Sequence, residues 1–299
     1  MTITMTVVVP TVGRPSLHRA LAPVVGRVPV VVVDDRPDGP SLSLDGVTVL
    51  RSGGRGPAAA RNLGWRHADG EWVAFLDDDV EPPGDWVSAL AADLDAAGPD
   101  VGGVQGRITV PTSERPTDWE RSTKGLETAV WATADLAYRR SALETVGGFD
   151  ECFPRAYRED ADLGLRVTAA GWQIVTGRRQ VAHPVRPAGW TQSIRSQRGN
   201  ADDVRMRRKH GSDWRHRAQV PAGRRPWHLA TTAALLAAAV PRWRRAALTA
   251  WAVLVGDFAR RRVAPGPRTT REVATMLATS VAIPEAATGW WLLGWWRSR

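Results

Sequence analysis

Three consecutive aspartates are the residues of this chain best suited to chemistry. Asp77, Asp78 and Asp79 directly follow an apolar run. That run, residues 72–76, predicts a buried strand that ends at the aspartates. Three adjacent carboxylates repel one another, and a divalent cation together with a phosphorylated ligand would relieve the repulsion. Mg²⁺ and Mn²⁺ commonly bind one or two carboxylates plus substrate phosphates, so the run indicates a metal–phosphate site. The alternative is a solvated acidic turn.

A second acidic pair opens a stretch with helical spacing further along the chain. Glu159 and Asp160 precede apolar residues at helical intervals, and Gly171 follows them. The pattern predicts a helix that begins near the pair, with Asp160 placed like an N-cap. Capping alone needs one acidic residue and not two. The local pattern therefore leaves a structural and a functional interpretation of Asp160 open.

The elements around these carboxylates alternate between strands and helices. Strands are predicted at residues 7–9, 28–33, 47–50, 72–76 and 101–110, and helices at residues 16–22, 57–67 and 86–98. Continuous apolar strands separated by helices predict an α/β fold whose mostly parallel sheet is covered by helices on both faces. Ligands bind such sheets beyond the carboxyl ends of the strands. Asp34 and Asp35 are predicted to share that edge with the three aspartates.

Composition sets limits on the protein class. The chain has 299 residues, of which 43% are hydrophobic and 24% charged, which is ordinary for globular proteins. Cys152 is the only cysteine, so an intrachain disulfide and a multi-cysteine zinc site are excluded. The first residues lack the basic start and long apolar run of a signal peptide. We therefore expect a cytoplasmic protein.

Charge divides the chain into two regions. Residues 191–299 contain 20 Lys and Arg against 6 Asp and Glu, whereas residues 1–190 contain 20 and 25. We predict a catalytic domain over residues 1–190 and a basic, tryptophan-rich helical region over residues 191–299. The apolar runs at residues 229–240, 246–256 and 273–283 are too short to span a bilayer and predict short helices. Arginine and tryptophan predict that these helices lie peripherally on the inner face of the cell membrane. The alternatives are packing on the catalytic domain and formation of a homo-oligomer.

Six motifs, in order over roughly residues 6–185, resemble the inverting nucleotide-sugar glycosyltransferases of the GT-A fold, glycosyltransferase family 2. The motifs are Val7-Val8-Val9-Pro10-Thr11 with Arg14-Pro15, Val31-Val32-Val33-Asp34-Asp35, Ala60-Arg61-Asn62-Leu63-Gly64 with Gly70-Glu71, Phe75-Leu76-Asp77-Asp78-Asp79, Gly147-Gly148-Phe149-Asp150-Glu151, and Glu159-Asp160 with Asp162, Leu163 and Arg166. The resemblance implies a GT-A fold and sugar transfer from a nucleotide-diphospho-sugar to a hydroxyl acceptor. It also implies a divalent cation, Mn²⁺ or Mg²⁺.

The resemblance implies roles for individual residues. Asp35 would contact the nucleotide base, and Asp160 would be the general base that deprotonates the acceptor. Asp77 and Asp79 would serve ribose and metal, and His183 would be a further metal ligand or phosphate contact. The implied donor-binding residues are Pro10, Thr11, Arg14, Asp35, Arg61, Asn62, Asp77 and Asp78, and the implied acceptor-side residues are Gly148, Phe149, Asp150 and Glu159. The acceptor could be lipid-linked or part of the cell envelope.

Other functions are weighed against this one. Gly54, Gly56 and Ala59 match the dinucleotide-binding pattern G-x-G-x-x-A, which would make the protein an oxidoreductase. Against that, the pattern follows the third predicted strand and leaves the other acidic pairs without a role. A non-catalytic relative would not need all the carboxylates. Nucleic-acid binding through the basic half is opposed by the acidic first half.

Overall fold

A seven-stranded sheet forms the first of two units in the computed structural model, which describes residues 4–297. That unit runs to Pro111 and includes Leu126–Pro184 and Arg217–Gln219. The second unit consists of Thr112–Gly125, Val185–His216 and the chain from Val220 onward. The domain boundary at residue 190 stays a prediction.

The strands of the first unit form a mixed, mostly parallel sheet. In chain order they are β1 (Met5–Thr11), β2 (Val30–Asp34), β3 (Thr48–Arg51), β4 (Trp72–Leu76), β5 (Val101–Thr109), β6 (Asp135–Arg139) and β7 (Gln173–Ala182). Their order across the sheet is β3-β2-β1-β4-β6-β5-β7. Only β6 runs antiparallel to its neighbours, β4 and β5. The predicted α/β fold class is therefore confirmed.

Central strands are buried on both sides because apolar residues occupy successive positions. Nearly every residue of β1, and every residue of β2 and β4, is buried. Phe75 of β4 contacts Tyr138 and Phe149 edge to face, in a core shared with two later helices. Burial of large apolar side chains on both faces is the expected driving force for this layered arrangement.

Twelve α-helices lie within the described part of the chain. They are α1 (Leu17–Leu21), α2 (Pro57–His67), α3 (Trp86–Asp95), α4 (Asp118–Lys124), α5 (Arg140–Val146), α6 (Glu159–Ala169), α7 (Gln192–Arg195), α8 (Gly199–His210), α9 (Trp214–Arg217), α10 (Arg225–Ala237), α11 (Arg244–Val263) and α12 (Thr270–Arg297). Pro57 occupies the first turn of α2, where its missing N–H costs nothing. Two of the last three helices are longer than predicted, as described next.

The prediction of short C-terminal helices was wrong for two of the three, since only α10, with 13 residues, is short. The helix α11 has 20 residues, because arginines continue it at both ends of its apolar run. The helix α12 has 28 residues, because an alanine- and tryptophan-rich segment continues it beyond its apolar run. Even Pro284 lies inside α12. Among the described residues, no helix combines the length and apolarity needed to cross a bilayer.

Arg262 of α11 is a buried residue that connects helices of the second unit. Its side chain is buried and donates hydrogen bonds to Thr279 (2.7 Å) and Ser280 (3.0 Å) on α12. It also forms an ion pair with Asp118 of α4 at 2.8 Å. A buried charge is tolerated when it is paired and hydrogen-bonded in this way. Arg262 thereby ties three helices of this unit together.

Candidate active site

The three aspartates after β4 have different partners. Asp77 accepts a hydrogen bond from Arg61 Nη2 at 2.8 Å. Asp78 is buried and accepts hydrogen bonds from Thr11 Oγ1 and Arg14 Nη1. Asp79 lies against His183, with 3.5 Å between Oδ1 and Nε2. Because successive side chains leave a strand end in different directions, one acidic run serves three separate contacts.

Asp78 is fixed inside the protein. Burial raises the pKa of its carboxyl, and the hydrogen bond from Thr11 and the charge of Arg14 oppose that rise. Both of its oxygens are used by these two partners. Thr11 is the last residue of β1. At this end of the strand, β1 pairs with β2 and no longer with β4, as the pairing of Pro10 with Val33 shows. We interpret Asp78 as the residue that holds the turn after β1 against the end of β4.

Arg61 joins the first carboxylate cluster to the second. Its buried guanidinium donates to Asp77 at 2.8 Å and to Glu159 Oε1 at 3.0 Å. Burial alone would lower the pKa of Arg61, but the charges of Asp77 and Glu159 raise it, so the group stays protonated. This double bridge was not predicted from sequence. The only signal in the sequence was an arginine within the predicted helix that precedes the three aspartates.

Asp160 is not the N-cap of α6, and that prediction was wrong. The helix begins at Glu159, and Arg158 occupies the N-cap position in a left-handed conformation with φ of 77°. Asp160 is thus a first-turn residue whose Oδ1 accepts a hydrogen bond from the N–H of Ala161 at 2.8 Å. No hydrogen bond to Oδ2 is found within residues 4–297. One oxygen is therefore available to an incoming hydroxyl.

Glu159 and Asp160 differ in their environments. Glu159 is only 2% exposed and pairs with Arg61, whereas Asp160 is partly exposed. Burial raises the pKa of both carboxyls, and Arg61 opposes the rise for each. The charge of Asp77 adds to the rise at Asp160, so the two acidic motifs are electrostatically coupled. Of the pair, Asp160 is the carboxylate that a ligand can reach.

Asn62 holds the loop that follows α5. Its amide donates to the carbonyl of Phe149 and to Glu151, and accepts from the N–H of Phe149 and from Trp65 Nε1, each at 2.9 Å. These four bonds use the whole capacity of the amide, leaving none for the nucleotide contact that the resemblance implied. Gly148 has φ of +77°, and a Cβ there would lie 2.6 Å from Asn62 Oδ1. We therefore interpret Asn62 as a positioning residue.

Replacing Asn62 with alanine is expected to lower the free energy of unfolding by about 2–6 kcal/mol. The substitution leaves the buried N–H of Phe149 and the indole N–H of Trp65 without partners, and each such loss costs about 1–3 kcal/mol. Denaturant unfolding followed by circular dichroism measures the change. His67→Ala, at an exposed position of the same helix, should shift stability by less than about 0.5 kcal/mol. Equal stability of both variants would contradict the positioning role.

Asp35 lies at the end of β2 with both oxygens engaged. Ser52 Oγ donates to Oδ1 at 2.6 Å, and the N–H of Gly56 donates to Oδ2 at 2.9 Å. A Cβ on Gly56 would lie 2.9 Å from the carbonyl oxygen of Pro154. Packing therefore explains a glycine of the G-x-G-x-x-A pattern without a dinucleotide. The partly buried Asp35 can still accept one further hydrogen bond at each oxygen.

Three of the predicted acceptor-side residues, Gly148, Phe149 and Asp150, belong to the loop that Asn62 holds. Phe149 is buried against Phe75. Asp150 accepts a hydrogen bond from the N–H of Cys152 at 2.9 Å, which closes a turn. Gly148 and Phe149 thus shape the loop, and Asp150 stabilises its turn. The structure brings this loop, Asn62 and the arginine bridge together around α2.

The predicted metal ligands do not form one preassembled cluster. Within residues 4–297, no group of three His, Cys, Asp or Glu side chains is arranged to hold a metal ion. Asp77 instead forms an ion pair with Arg61 at 2.8 Å. Asp79 and His183 remain together, and the buried Nδ1 of His183 has no hydrogen-bond partner in this part of the chain. Two such ligands fit a cation that takes its remaining ligands from phosphate and water.

Comparisons with known proteins give a family match over the first part of the chain. The family model described as glycosyl transferase family 2 matches residues 6–162, which is more than half of the chain. The pre-mycofactocin glycosyltransferases of two Mycobacterium tuberculosis strains, CDC 1551 / Oshkosh and H37Rv, are 33% identical over 57% of this chain. The matched part spans only 40% of the length of those relatives.

A solved structure shows the same fold. The mannosyltransferase PcManGT from Pyrobaculum calidifontis, in complex with GDP-Man and Mn²⁺, superposes with a TM-score of 0.56 at 19% identity. The superposition covers 100% of this chain and 89% of the mannosyltransferase. The expectation of a GT-A fold is confirmed.

Proposed function

The chain belongs to glycosyltransferase family 2 and is an enzyme that transfers sugar, and on this premise we propose that it is a metal-dependent, inverting transferase. Its donor would be a nucleotide-diphospho-sugar and its acceptor a hydroxyl group. The observation that carries the proposal is the difference in environment between Glu159 and Asp160. Glu159 is buried against Arg61, while Asp160 keeps one oxygen available to a ligand.

Asp160 would supply general-base catalysis. Its carboxylate takes the proton of the acceptor hydroxyl as the oxygen of that hydroxyl forms a bond to the anomeric carbon. The bond from that carbon to the nucleoside diphosphate breaks, and its electron pair leaves with the phosphate oxygen. A single displacement of this kind inverts the anomeric centre, by analogy with inverting glycosidases. Arg61 keeps the neighbouring Glu159 paired.

The donor side would be formed by residues at the carboxyl ends of β1, β2 and β4. Asp35 would contact the nucleotide base, and the partly exposed Arg14 and Asp77 would meet phosphate and ribose. Asp79 and His183 would hold a divalent cation, Mn²⁺ or Mg²⁺, which when bound supplies Lewis-acid stabilisation of the leaving diphosphate. Thr11 and Asp78 support Arg14 from inside.

We further place the enzyme at a membrane surface, with a lipid-linked or cell-envelope acceptor. The support for this is the basic, tryptophan-rich composition of residues 191–299. A cytoplasmic location on the inner face of the membrane follows from the same proposal.

A donor screen tests the proposed function directly. The full chain is mixed with nucleotide-diphospho-sugars in the presence of Mn²⁺ or excess chelator, and thermal shift and donor hydrolysis are measured. At least one donor is expected to raise the Tm with Mn²⁺ and to lose that effect with chelator, because only the bound state is stabilised. Binding of a nicotinamide dinucleotide and of no nucleotide sugar would overturn the proposal.

A further inference from the structure

The turn between α10 and α11 carries an exposed apolar surface. We define the hairpin tip as residues 235–248, which comprise the end of α10, the turn and the beginning of α11. Leu236 is 69% exposed, Trp243 51% and Leu248 44%, and every residue from 239 to 246 is exposed. Single exposed apolar residues are common in proteins, but a group of them on one short segment marks an interaction surface.

Arginines accompany these apolar residues without acidic counterparts. The chain has no Asp or Glu from residue 214 to residue 256, a stretch that holds seven arginines. Three of them, Arg242, Arg244 and Arg245, belong to the hairpin tip, and in the described part of the chain none of the three forms an ion pair. The tip therefore presents positive charge that its own fold leaves uncompensated.

The position of two arginines strengthens this point. Arg244 and Arg245 lie in the first turn of α11, which has no acidic residue. The positive end of a helix dipole disfavours cations there and favours anions. Backbone N–H groups at a long helix's N-terminus also attract phosphate groups. An external anionic surface would offset the repulsion between these two arginines and the positive end of the helix dipole, which no acidic residue in the first turn of α11 offsets.

The hairpin tip is ordered before any partner arrives. The N–H of Trp243 donates to the carbonyl of Val240 at 3.0 Å, and Arg244 Nε donates to the carbonyl of Ala238 at 3.4 Å. The guanidinium of Arg242 lies 4.3 Å from the centre of the Trp243 ring. A preformed surface loses little conformational entropy on binding.

We propose that the hairpin tip inserts into the headgroup region of an anionic lipid bilayer. Leucine and tryptophan would enter the boundary between headgroups and acyl chains, and the arginines would contact lipid phosphates. A second copy of the chain is a poorer occupant, because symmetric pairing would bring two sets of three arginines together. The inference rests on the proposed membrane association and gives it a defined surface.

Vesicle co-sedimentation of the full chain tests the proposal without donor or acceptor, so its outcome is independent of sugar transfer. Vesicles contain phosphatidylcholine alone or with 30% phosphatidylglycerol, at low salt. We expect binding to the anionic vesicles only. Leu236→Ser with Trp243→Ser should weaken binding about tenfold or more. Arg242→Gln with Arg245→Gln should weaken it about 25-fold, since each arginine near the surface contributes roughly fivefold.

Matched controls remove the same groups elsewhere. Trp190→Ser deletes a tryptophan that is exposed outside the tip, and Arg107→Gln with Arg178→Gln removes two exposed charges from the sheet unit. Both controls should bind like the unaltered chain.

A fluorescence experiment measures insertion of the hairpin tip directly. Cys152→Ser removes the single cysteine, and Val240→Cys then carries an environment-sensitive fluorophore. Its emission should shift to the blue with anionic vesicles.

Three results would overturn the inference. One is an absence of binding to anionic vesicles at low salt. Another is binding that both tip variants retain in full, which would assign it to a different surface. The third is a dimer in light scattering that the tip variants abolish while vesicles have no effect, which would make a second copy the occupant. Retained donor hydrolysis in the tip variants would show that they are folded.

Discussion

Replacing Asp160 with asparagine is expected to lower sugar transfer by about 100-fold or more while donor affinity stays the same. The amide cannot take the proton of the acceptor hydroxyl, and a lost general base typically costs 100- to 10,000-fold. Asparagine is nearly isosteric, and its side-chain oxygen can still accept the hydrogen bond from Ala161. Single-turnover transfer with pre-bound donor, beside an equilibrium measurement of donor binding, separates the two effects.

The pH dependence of transfer gives an independent check on Asp160. Burial raises the pKa of this carboxyl, with Asp77 adding to the rise. The base must be ionised, so activity falls as the pH drops through the raised pKa of Asp160. This pKa lies above the usual value of about 3.9 for aspartate. The acid limb should disappear in the asparagine variant. Asp69→Asn, an exposed aspartate outside the site, should leave rate and profile unchanged. A loss of donor affinity with unchanged transfer per bound donor would make Asp160 a binding residue.

Replacing Asp79 with asparagine is expected to lower turnover by about 100- to 1000-fold and to abolish the Mn²⁺-dependent rise in Tm. Asp79 and His183 are the paired side chains with the chemistry to bind a divalent cation at the diphosphate. Loss of a cation that stabilises a leaving group removes several kcal/mol of transition-state stabilisation. Transfer rates and thermal shift are measured across a Mn²⁺ titration.

A neighbouring aspartate provides the control for this metal experiment. Asp85 precedes α3, is exposed and makes no side-chain cap, so Asp85→Asn removes one charge close by in sequence without touching the site. It should keep both activity and the thermal response. Full activity of the unaltered protein in excess chelator would refute metal dependence. An Asp79 variant with normal activity would refute only the assignment of this ligand.

Sequence patterns predicted the strands and helices that apolar residues dominate. The limits of β4 and of α2 were predicted to the residue, because each is an apolar or alanine-rich run with clear boundaries. The strands β6 and β7 were missed. Asp135–Arg139 contains no β-branched residue, and Gln173–Ala182 is an edge strand with many exposed polar positions. Neither has the continuous apolar run that marked the earlier strands.

Partners of the site residues were harder to predict than the residues themselves. The acidic motifs were found because carboxylates that directly follow an apolar run can be recognised from the sequence alone. The bridge from Asp77 through Arg61 to Glu159 joins residues up to 98 positions apart, and only the folded sheet brings them together. The N-cap of α6 was misassigned because Arg158 adopts a left-handed conformation, which a non-glycine residue rarely does.

The late position of β7 in the chain has a consequence for synthesis of the protein. This strand pairs with β5, and the N–H of His183 just beyond it donates to the carbonyl of Thr109 at 2.7 Å. A nascent chain that ends before residue 173 already contains every acidic motif, yet the outer edge of β5 has no partner. Unpaired strand edges promote aggregation, and pairing between distant segments is slow. Fragments for expression should therefore extend past His183. A translation pause inside residues 110–172 would leave the edge of β5 unpaired and accessible to chaperones.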